Sequence, residues 1–287
     1  MSKITYVNGR YIPTGEASVN VEDRGYQFSD GVYEVIAVSD FRLVDFKPHL
    51  RRLGRSLSNL DIEWPCSERV LKIVLTQLIK RNRLRNGIVY LQITRGVAPR
   101  NHAFPIEKIR SSLVVTVSRS GRPSAQKFTE GVKVVTMPEN RWGRRDIKSV
   151  SLLPNVLAKQ FAVQNGAFET WFVDDEQTIT EGSSTNAWIV LAGQEVVTRP
   201  LGNDILAGIT RMKLIELAKA GNIRITERPF TVDEAINAEE AFITSTTSFV
   251  MPVVDIDGKQ VGTGKPGSVT NNLLALYREH FSGSEEV

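Results

Sequence analysis

Short runs rich in β-branched residues recur along this whole chain, each bounded by turn chemistry, with amphipathic helical stripes between them. That alternation constrains the fold more than any other feature, because each run has to find a sheet and each stripe has to cover one. Strand signals lie at Ile4–Val7, Arg10–Ile12, Val35–Val38, Phe41–Phe46, Ile88–Thr94 and Leu113–Val117. They resume at Val132–Thr136, Glu169–Val173, Ala187–Leu191, Ile223–Thr226, Ala241–Thr244 and Val250–Ile256. Asn8-Gly9, between the first two, has the turn chemistry of a tight hairpin. Leu50, Leu53, Leu57 and Leu60 line a helix started by Pro48, and a second helix runs from Ser67 to about Arg83. Later helices are expected at Leu153–Asn165, Thr210–Ala220, Val232–Asn237 and Val269–Phe281.

The best linker is Ser118–Ser124, which reads Ser-Arg-Ser-Gly-Arg-Pro-Ser. A boundary there predicts two α+β domains, residues 1–120 and 121–287. The 287 residues suit two domains at ordinary domain size, and 41% hydrophobic against 24% charged residues excludes a disordered chain. One cysteine, Cys66, excludes an internal disulfide or a thiolate cage. His49, His102 and His280 match no zinc spacing, so no metal is expected. No apolar run is long enough to span a membrane, and the first residues lack the apolar block of a signal peptide. The expectation is a cytoplasmic protein without a membrane partner. The net charge of +4 is compatible with nucleic acid but equally with an enzyme of anionic small molecules.

Several segments carry possible chemistry. Gly262-Thr263-Gly264-Lys265-Pro266-Gly267 matches the spacing of a dinucleotide-binding loop, but too little chain follows to complete a strand–helix–strand unit, so a turn is expected. Gly208-Ile209-Thr210 opens a helix, where unpaired N–H groups and the dipole favour an anion and Thr210 adds a hydroxyl. Thr244-Ser245-Thr246-Thr247-Ser248 places a run of hydroxyls directly after a strand. Each cluster alone also fits ordinary capping. Arg100-Asn101-His102 could hold a carboxylate through a planar guanidinium fork, or be a solvated loop. Arg52 could be an exposed helix charge or a phosphate clamp. Lys148 is not set apart from other lysines by spacing, and Glu181 reads as a turn carboxylate.

Taken in order, these segments resemble the fold-type IV pyridoxal-phosphate enzymes, the group of D-amino acid and branched-chain aminotransferases. The resemblance runs from Val7-Asn8-Gly9 to Gly258-Lys259. It includes Asp23-Arg24-Gly25-Tyr26-Gln27-Phe28-Ser29-Asp30-Gly31-Val32-Tyr33-Glu34 as an N-terminal signature. Thr94-Arg95-Gly96, Pro99-Arg100-Asn101-His102, Asp146-Ile147-Lys148-Ser149 and Thr244–Ser248 are most similar to the bacterial D-amino acid branch. Ala98 stands where that branch has Ser or Thr, and Arg144-Arg145 flank the lysine segment.

The resemblance implies an α+β, two-domain architecture with pyridoxal 5'-phosphate between the domains. It implies Lys148 as the Schiff-base lysine and proton carrier, assigned by the domain boundary to the C-terminal domain. Glu181 would pair with the pyridine nitrogen, and Leu206 would lie against the ring. Arg52, Ile209, Thr210 and Thr246 would hold the phosphate. Tyr33, Arg100 and His102 would bind the substrate carboxylate, the last two reaching across a homodimer. The activity implied is transamination from a D-amino acid such as D-alanine to a 2-oxo acid such as 2-oxoglutarate, giving pyruvate and D-glutamate. Branched-chain L-aminotransferase and aminodeoxychorismate lyase share the fold and are the alternatives. A nucleic-acid module, suggested only by Arg141-Trp142 and Arg144-Arg145, comes last.

Overall fold

The computed structural model describes residues 3–119 and 123–283. These divide into two compact units, both α+β: residues 3–119 with 147–151, and residues 123–146 with 152–283. Part of the linker expected at Ser118–Ser124, residues 120–122, lies outside the described residues.

The first unit opens with a hairpin of β1 (Ile4–Val7) and β2 (Arg10–Pro13). Asn8 and Gly9 take the positive φ values, 44° and 99°, that this tight turn demands. The short helix α1 (Arg24–Phe28) precedes β3 (Gly31–Ser39) and β4 (Arg42–Leu43), and then come α2 (Phe46–Asn59) and α3 (Glu68–Arg81). The N–H of Val70 donates to the Ser67 hydroxyl, which ends the preceding loop and starts α3. The strands β5 (Gly87–Thr94) and β6 (Ser112–Ser118) complete a six-stranded antiparallel sheet in the order β2-β1-β6-β5-β3-β4. Alternation along β3 and β5 puts Val32, Ile36, Val89 and Leu91 on one face, where they pack with Leu50, Leu53 and Leu57 of α2 and Leu71, Leu75 and Leu78 of α3.

A detached piece of chain joins this unit. β4 pairs only with Val38 and Ser39, which leaves the start of β3 with an open edge. Residues 147–150 fill it. Ser149 bridges to Val32, the Tyr33 N–H donates to the Lys148 carbonyl at 3.0 Å, and the Val150 N–H donates to the Gly31 carbonyl at 3.0 Å. The Lys148 N–H donates to the Ser56 hydroxyl of α2 at 3.2 Å, and Ile147 enters the core. The sequence boundary assigned this segment to the C-terminal domain. The open strand edge corrects that, because unpaired backbone groups and an apolar slot both lie in the first unit.

The second unit contains, in chain order, α4 (Ala125–Glu130), β7 (Val132–Pro138), α5 (Leu153–Gln164), β8 (Glu169–Val173), β9 (Ile179–Gly182), β10 (Asn186–Leu191) and β11 (Glu195–Thr198). It continues with α6 (Ile209–Ala220), β12 (Ile225–Glu227), α7 (Val232–Ile236), β13 (Glu240–Ser245), β14 (Phe249–Ile256), β15 (Lys259–Gln260) and α8 (Ser268–Gly283). Eight strands pair in the order β12-β11-β10-β13-β14-β7-β8-β9, and β15 pairs with β14. Its core holds the stacked pair Trp188 and Phe242, with Trp171, Phe172 and Leu214. The glycine-rich segment 262–267 is the turn expected, with Gly262 and Gly264 at positive φ. It leads into α8, whose first-turn N–H groups on Val269 and Thr270 are taken by the Glu240 carboxylate.

Ile147 is the apolar anchor of the segment that carries Lys148. Ile147→Ala is expected to destabilise the first unit by about 2–4 kcal/mol, the cost of truncating a buried aliphatic side chain. Equilibrium urea unfolding followed by circular dichroism checks it.

Candidate active site

Alternation on β3 sends Tyr33 and Glu34 to opposite faces of the sheet. Glu34 points under α2 and is fully buried. There Arg52 grips it bidentately, Nε to Oε1 at 2.7 Å and Nη2 to Oε2 at 2.8 Å. His49 Nδ1 lies 2.7 Å from Oε2 and donates to it. His49, Arg52 and Ser56 are three and four residues apart, so one helix face presents all three. Arg52 therefore does not stand in the helix surface as an exposed charge. Its side chain is 6% exposed, with two of its nitrogens committed to a carboxylate. Burial opposes the charge on Glu34, but Arg52 and then His49 outweigh it and hold the carboxyl well below its ordinary value. For His49 burial dominates, and its value falls.

On the other side of the same strand the Lys148 Nζ lies 4.2 Å from the centre of the Tyr33 ring. Tyr33 stacks on Tyr90 at 5.6 Å, and burial pushes the Tyr90 phenol up to about 12. Lys148 thus has a backbone held by Tyr33 and Ser56, and an amine over an aromatic face.

Arg100 and His102 sit in an exposed loop after β5. The loop is gripped from behind. Arg24 donates to the carbonyls of Asn101 at 2.6 Å, Ala103 at 3.3 Å and His102 at 3.3 Å. Its Nε pairs with Asp30 at 2.8 Å, and Asp30 also takes Arg95 at 2.7 and 3.0 Å. Arg100 and His102 both pack on Phe28, at 4.7 and 5.2 Å. A held backbone with exposed side chains suits a group that reaches outward.

In the second unit Glu181 is a buried strand residue of β9, not the turn carboxylate that the hydroxyl-rich sequence after it suggested. Oε1 accepts from Arg141 at 2.6 Å. Oε2 accepts from Asn186 Nδ2 and from the Leu206 N–H, both at 3.0 Å. Arg141 is shared, since it also donates to Glu139 at 2.9 and 2.6 Å. Burial pushes the Glu181 carboxyl above its ordinary value against the pull of Arg141. Arg145 also stands 3.6 Å from Glu139, whereas Arg141 is the guanidinium described on Glu181.

Asn186 Nδ2 also donates to the Leu206 carbonyl at 3.0 Å, and a Cβ at Gly208 would collide with Asn186 Oδ1. Helix α6 starts at Ile209, and no side-chain cap is found for it among the described residues. The Thr210 hydroxyl, assigned from sequence to an anion, has a partner in the core, the Tyr277 hydroxyl at 3.2 Å. What Ile209 and Thr210 offer an anion is therefore the backbone N–H groups of a first helical turn. Thr246 lies in the turn between β13 and β14, and the Ser248 N–H donates to Ser245 Oγ within that turn at 3.0 Å. Across the ladder Asn186 faces Thr244, so the hydroxyl-rich turn grows from the strand beside Glu181's partner.

Sequence reasoning missed Glu34, Arg24, Asp30 and Asn186, and misread Arg141 as part of a basic surface. Arg145 pairs with Asp204 at 3.0 Å and Arg144 with Asp146 at 2.9 Å, so this cluster is no free nucleic-acid patch. One signal was available: a glutamate between Tyr33 and Val35, in register with Val32 and Ile36, is a charge at a core position and requires a partner.

Known proteins resemble this chain at full length. It matches the amino-transferase class IV family over residues 31–256. It is 40% identical over 281 residues to the D-alanine aminotransferase of Staphylococcus haemolyticus, covering 98% of each chain. It is 42% identical over 270 residues to that of Bacillus licheniformis, covering 93% of each. Among solved structures the branched-chain amino acid aminotransferase of Escherichia coli has a TM-score of 0.89 at 23% identity, over 100% of this chain and 96% of that one. A structure described as a putative 4-amino-4-deoxychorismate lyase from Legionella pneumophila has a TM-score of 0.82 at 22% identity, over 93% of this chain and 97% of that one. The last two share the fold.

The buried Glu34–His49 pair makes stability fall in acid. Unfolded, His49 binds a proton near 6.5, which the buried ring resists, so its contribution is complete above that value and declines below it. Glu34 acts in the same direction, its contribution declining once the pH drops below about 4.5, the ordinary carboxyl value. His49→Asn, whose Nδ2 can replace the Nδ1 donor, is expected to flatten stability between about pH 5 and 7 and to leave the steeper acid limb. Urea midpoints measured across pH read both parts.

Proposed function

This chain belongs to the amino-transferase class IV family, and on that premise we propose that it transfers an amino group from a D-amino acid, D-alanine above all, to a 2-oxo acid. With 2-oxoglutarate as acceptor the products are pyruvate and D-glutamate. The observation that carries this reading is identity of about 40% over 98% of the chain to D-alanine aminotransferases, against 23% to the branched-chain enzyme of the same fold.

The cofactor of this reading is pyridoxal 5'-phosphate, and solved relatives of the fold include one with pyridoxamine 5'-phosphate. The donor set fits it. Glu181 is a buried carboxylate, which suits a protonated ring nitrogen. The N–H groups of Ile209 and Thr210, the Thr246 hydroxyl and the Arg52 guanidinium suit a phosphate. Leu206, held by Glu181 through its own N–H, suits the ring. When bound, the cofactor supplies an electron sink for the substrate's α-carbon.

The chain's own residues do the rest. Lys148 would hold the cofactor through Nζ and, once the substrate's amino group has displaced that bond, its freed amine would carry the proton of the substrate Cα. Its mainchain bonds to Tyr33 and Ser56 limit the amine to one face. Tyr33, Arg100 and His102 hold the substrate carboxylate, and the side on which they hold it decides which enantiomer turns its hydrogen to Lys148. Arg100 and His102 serve the partner's site in a homodimer. The exposed apolar residues of their surroundings, Tyr26, Phe104 and Ile106, support a second copy as the cover. A cytoplasmic location is part of the proposal, in keeping with the free thiol of Cys66.

The deciding experiment is an amino-donor screen with paired D- and L-isomers of alanine, glutamate and leucine, coupled to peptide mapping after borohydride treatment. Transfer from D-alanine with the label on Lys148 is expected, whereas preference for L-leucine would replace the reading with the branched-chain one. Glu181→Gln should keep the cofactor and lose about a hundredfold in kcat, since an amide cannot stabilise charge on the ring nitrogen. Lys148→Ala and Arg100→Ala, each inactive alone, should regain about a quarter of wild-type activity when unfolded and refolded together. A mixed dimer then carries one intact site. Steady-state assay of the mixture checks it.

A further inference from the structure

Glu169, on β8, has no exposed surface and no part in the roles assigned above. Its Oε1 accepts the Thr170 N–H at 2.9 Å and the Ser183 hydroxyl in a short hydrogen bond. Oε2 accepts the Ser184 hydroxyl at 3.0 Å, the Ser184 N–H at 3.3 Å and the Thr185 hydroxyl at 3.3 Å. Lys159 Nζ stands 3.9 Å from Oε1 and brings a positive charge. One buried carboxylate thus gathers three successive hydroxyl residues, Ser183 to Thr185.

Those residues are the whole connection between β9, which ends at Gly182, and β10. The turn closes on itself through the Gly182 N–H, which donates to the Thr185 carbonyl at 2.7 Å. A Cβ at Gly182 would collide with Thr185 Oγ1 and lie 3.0 Å from Glu169 Cγ, so the strand can end this close to the carboxylate only as glycine. Asn155 adds an outer tie, from Nδ2 to the Ser183 carbonyl at 2.8 Å. On either side of the turn stand Glu181 and Asn186, joined by the bond from Asn186 Nδ2 to Glu181 Oε2.

We propose that Glu169 is a positioning residue that acts on the reaction through Glu181, by folding the Gly182–Thr185 turn so that Asn186 meets the Glu181 carboxylate. The inference rests on the functional reading above. The carboxylate accepts from three turn hydroxyls and the Ser184 N–H at once. The amide of Glu169→Gln keeps one acceptor oxygen and turns two N–H donors toward the Ser184 N–H, so the turn has to shift.

The test uses holoenzyme of Glu169→Gln, Glu181→Gln and the double variant. It measures kcat and KM for D-alanine, the dissociation constant of pyridoxamine 5'-phosphate by tryptophan fluorescence, and the absorbance of bound cofactor across pH. Glu169→Gln is expected to lower kcat about tenfold, the usual scale for losing the hydrogen-bond layer behind a ligand, with little change in KM. The absorbance titration should move in the direction in which Glu181→Gln moves it. With Gln already at 181, Glu169→Gln should change kcat by less than about twofold, because interacting sites are not additive. Two effects that multiply, or a Glu169→Gln enzyme with unchanged kcat and titration, would overturn the proposal. If Glu169→Gln does not fold, Ser184→Ala removes one donor and should show the same coupling at smaller size, and independence from Glu181 overturns it equally. A wild-type chain that binds no pyridoxamine 5'-phosphate defeats the functional reading and this inference together. A cofactor-binding wild type with multiplying variants defeats this inference alone.

Discussion

Taking a carboxylate out of water costs several kcal/mol unless donors replace its hydration, and the site-bearing segments of this chain are arranged around that requirement. Glu34 draws Arg52 and His49 onto β3. Asp30 draws Arg24 and Arg95 together, and Arg24 in turn holds the loop of Arg100 and His102 by its carbonyls. Glu139 and Glu181 share Arg141. Glu169 gathers hydroxyls instead of a guanidinium. In each case the acid sits on a strand or directly beside one, and donors reach it from elements distant in sequence or from a neighbouring turn.

The same requirement sets apart the groups proposed to act from those that hold them. Lys148 and Arg100 present their charged tips with no carboxylate partner in the hydrogen bonds described, while the residues behind them are saturated. Lys148 is fixed through its backbone by Tyr33 and Ser56, and Arg100 through the carbonyl grip of Arg24 on the residues that follow it. A held backbone that presents a charged tip is what the proposed roles in substrate capture and proton transfer need. Glu181 is the intermediate case: it is buried and bonded, its burial raises its pKa, and the guanidinium it accepts from is shared with Glu139.

Much of the architecture was legible from periodicity. The hairpin at Asn8-Gly9, the leucine stripe of α2, the Ser67 cap of α3 and the strands β5, β8 and β14 lie within a residue or two of where the pattern put them. The strands that went unseen, β9, β11 and β15, are short, of four, four and two residues. β9 reads Ile-Thr-Glu-Gly and is buried throughout, so it shows no alternation, and its glutamate looked like a turn residue. The helix α1 spans only five residues, too short for a helical stripe to repeat.

What the sequence by itself determined was the list of elements, the α+β class and, through Asp-Ile-Lys-Ser and Pro-Arg-Asn-His, the family to which the motifs are similar. These are local properties: periodicity, turn chemistry and short motifs are written in neighbouring residues. Tertiary structure alone decided that residues 147–151 leave their neighbours in sequence to complete the edge of β3. It alone decided that Arg141 serves Glu181 across 40 residues rather than joining a basic surface, and that Thr210's hydroxyl turns to Tyr277. The physical reason is common to all three. Which partner satisfies an open strand edge, a buried charge or a hydroxyl depends on what distant chain brings within about 3 Å, and no local pattern encodes that distance.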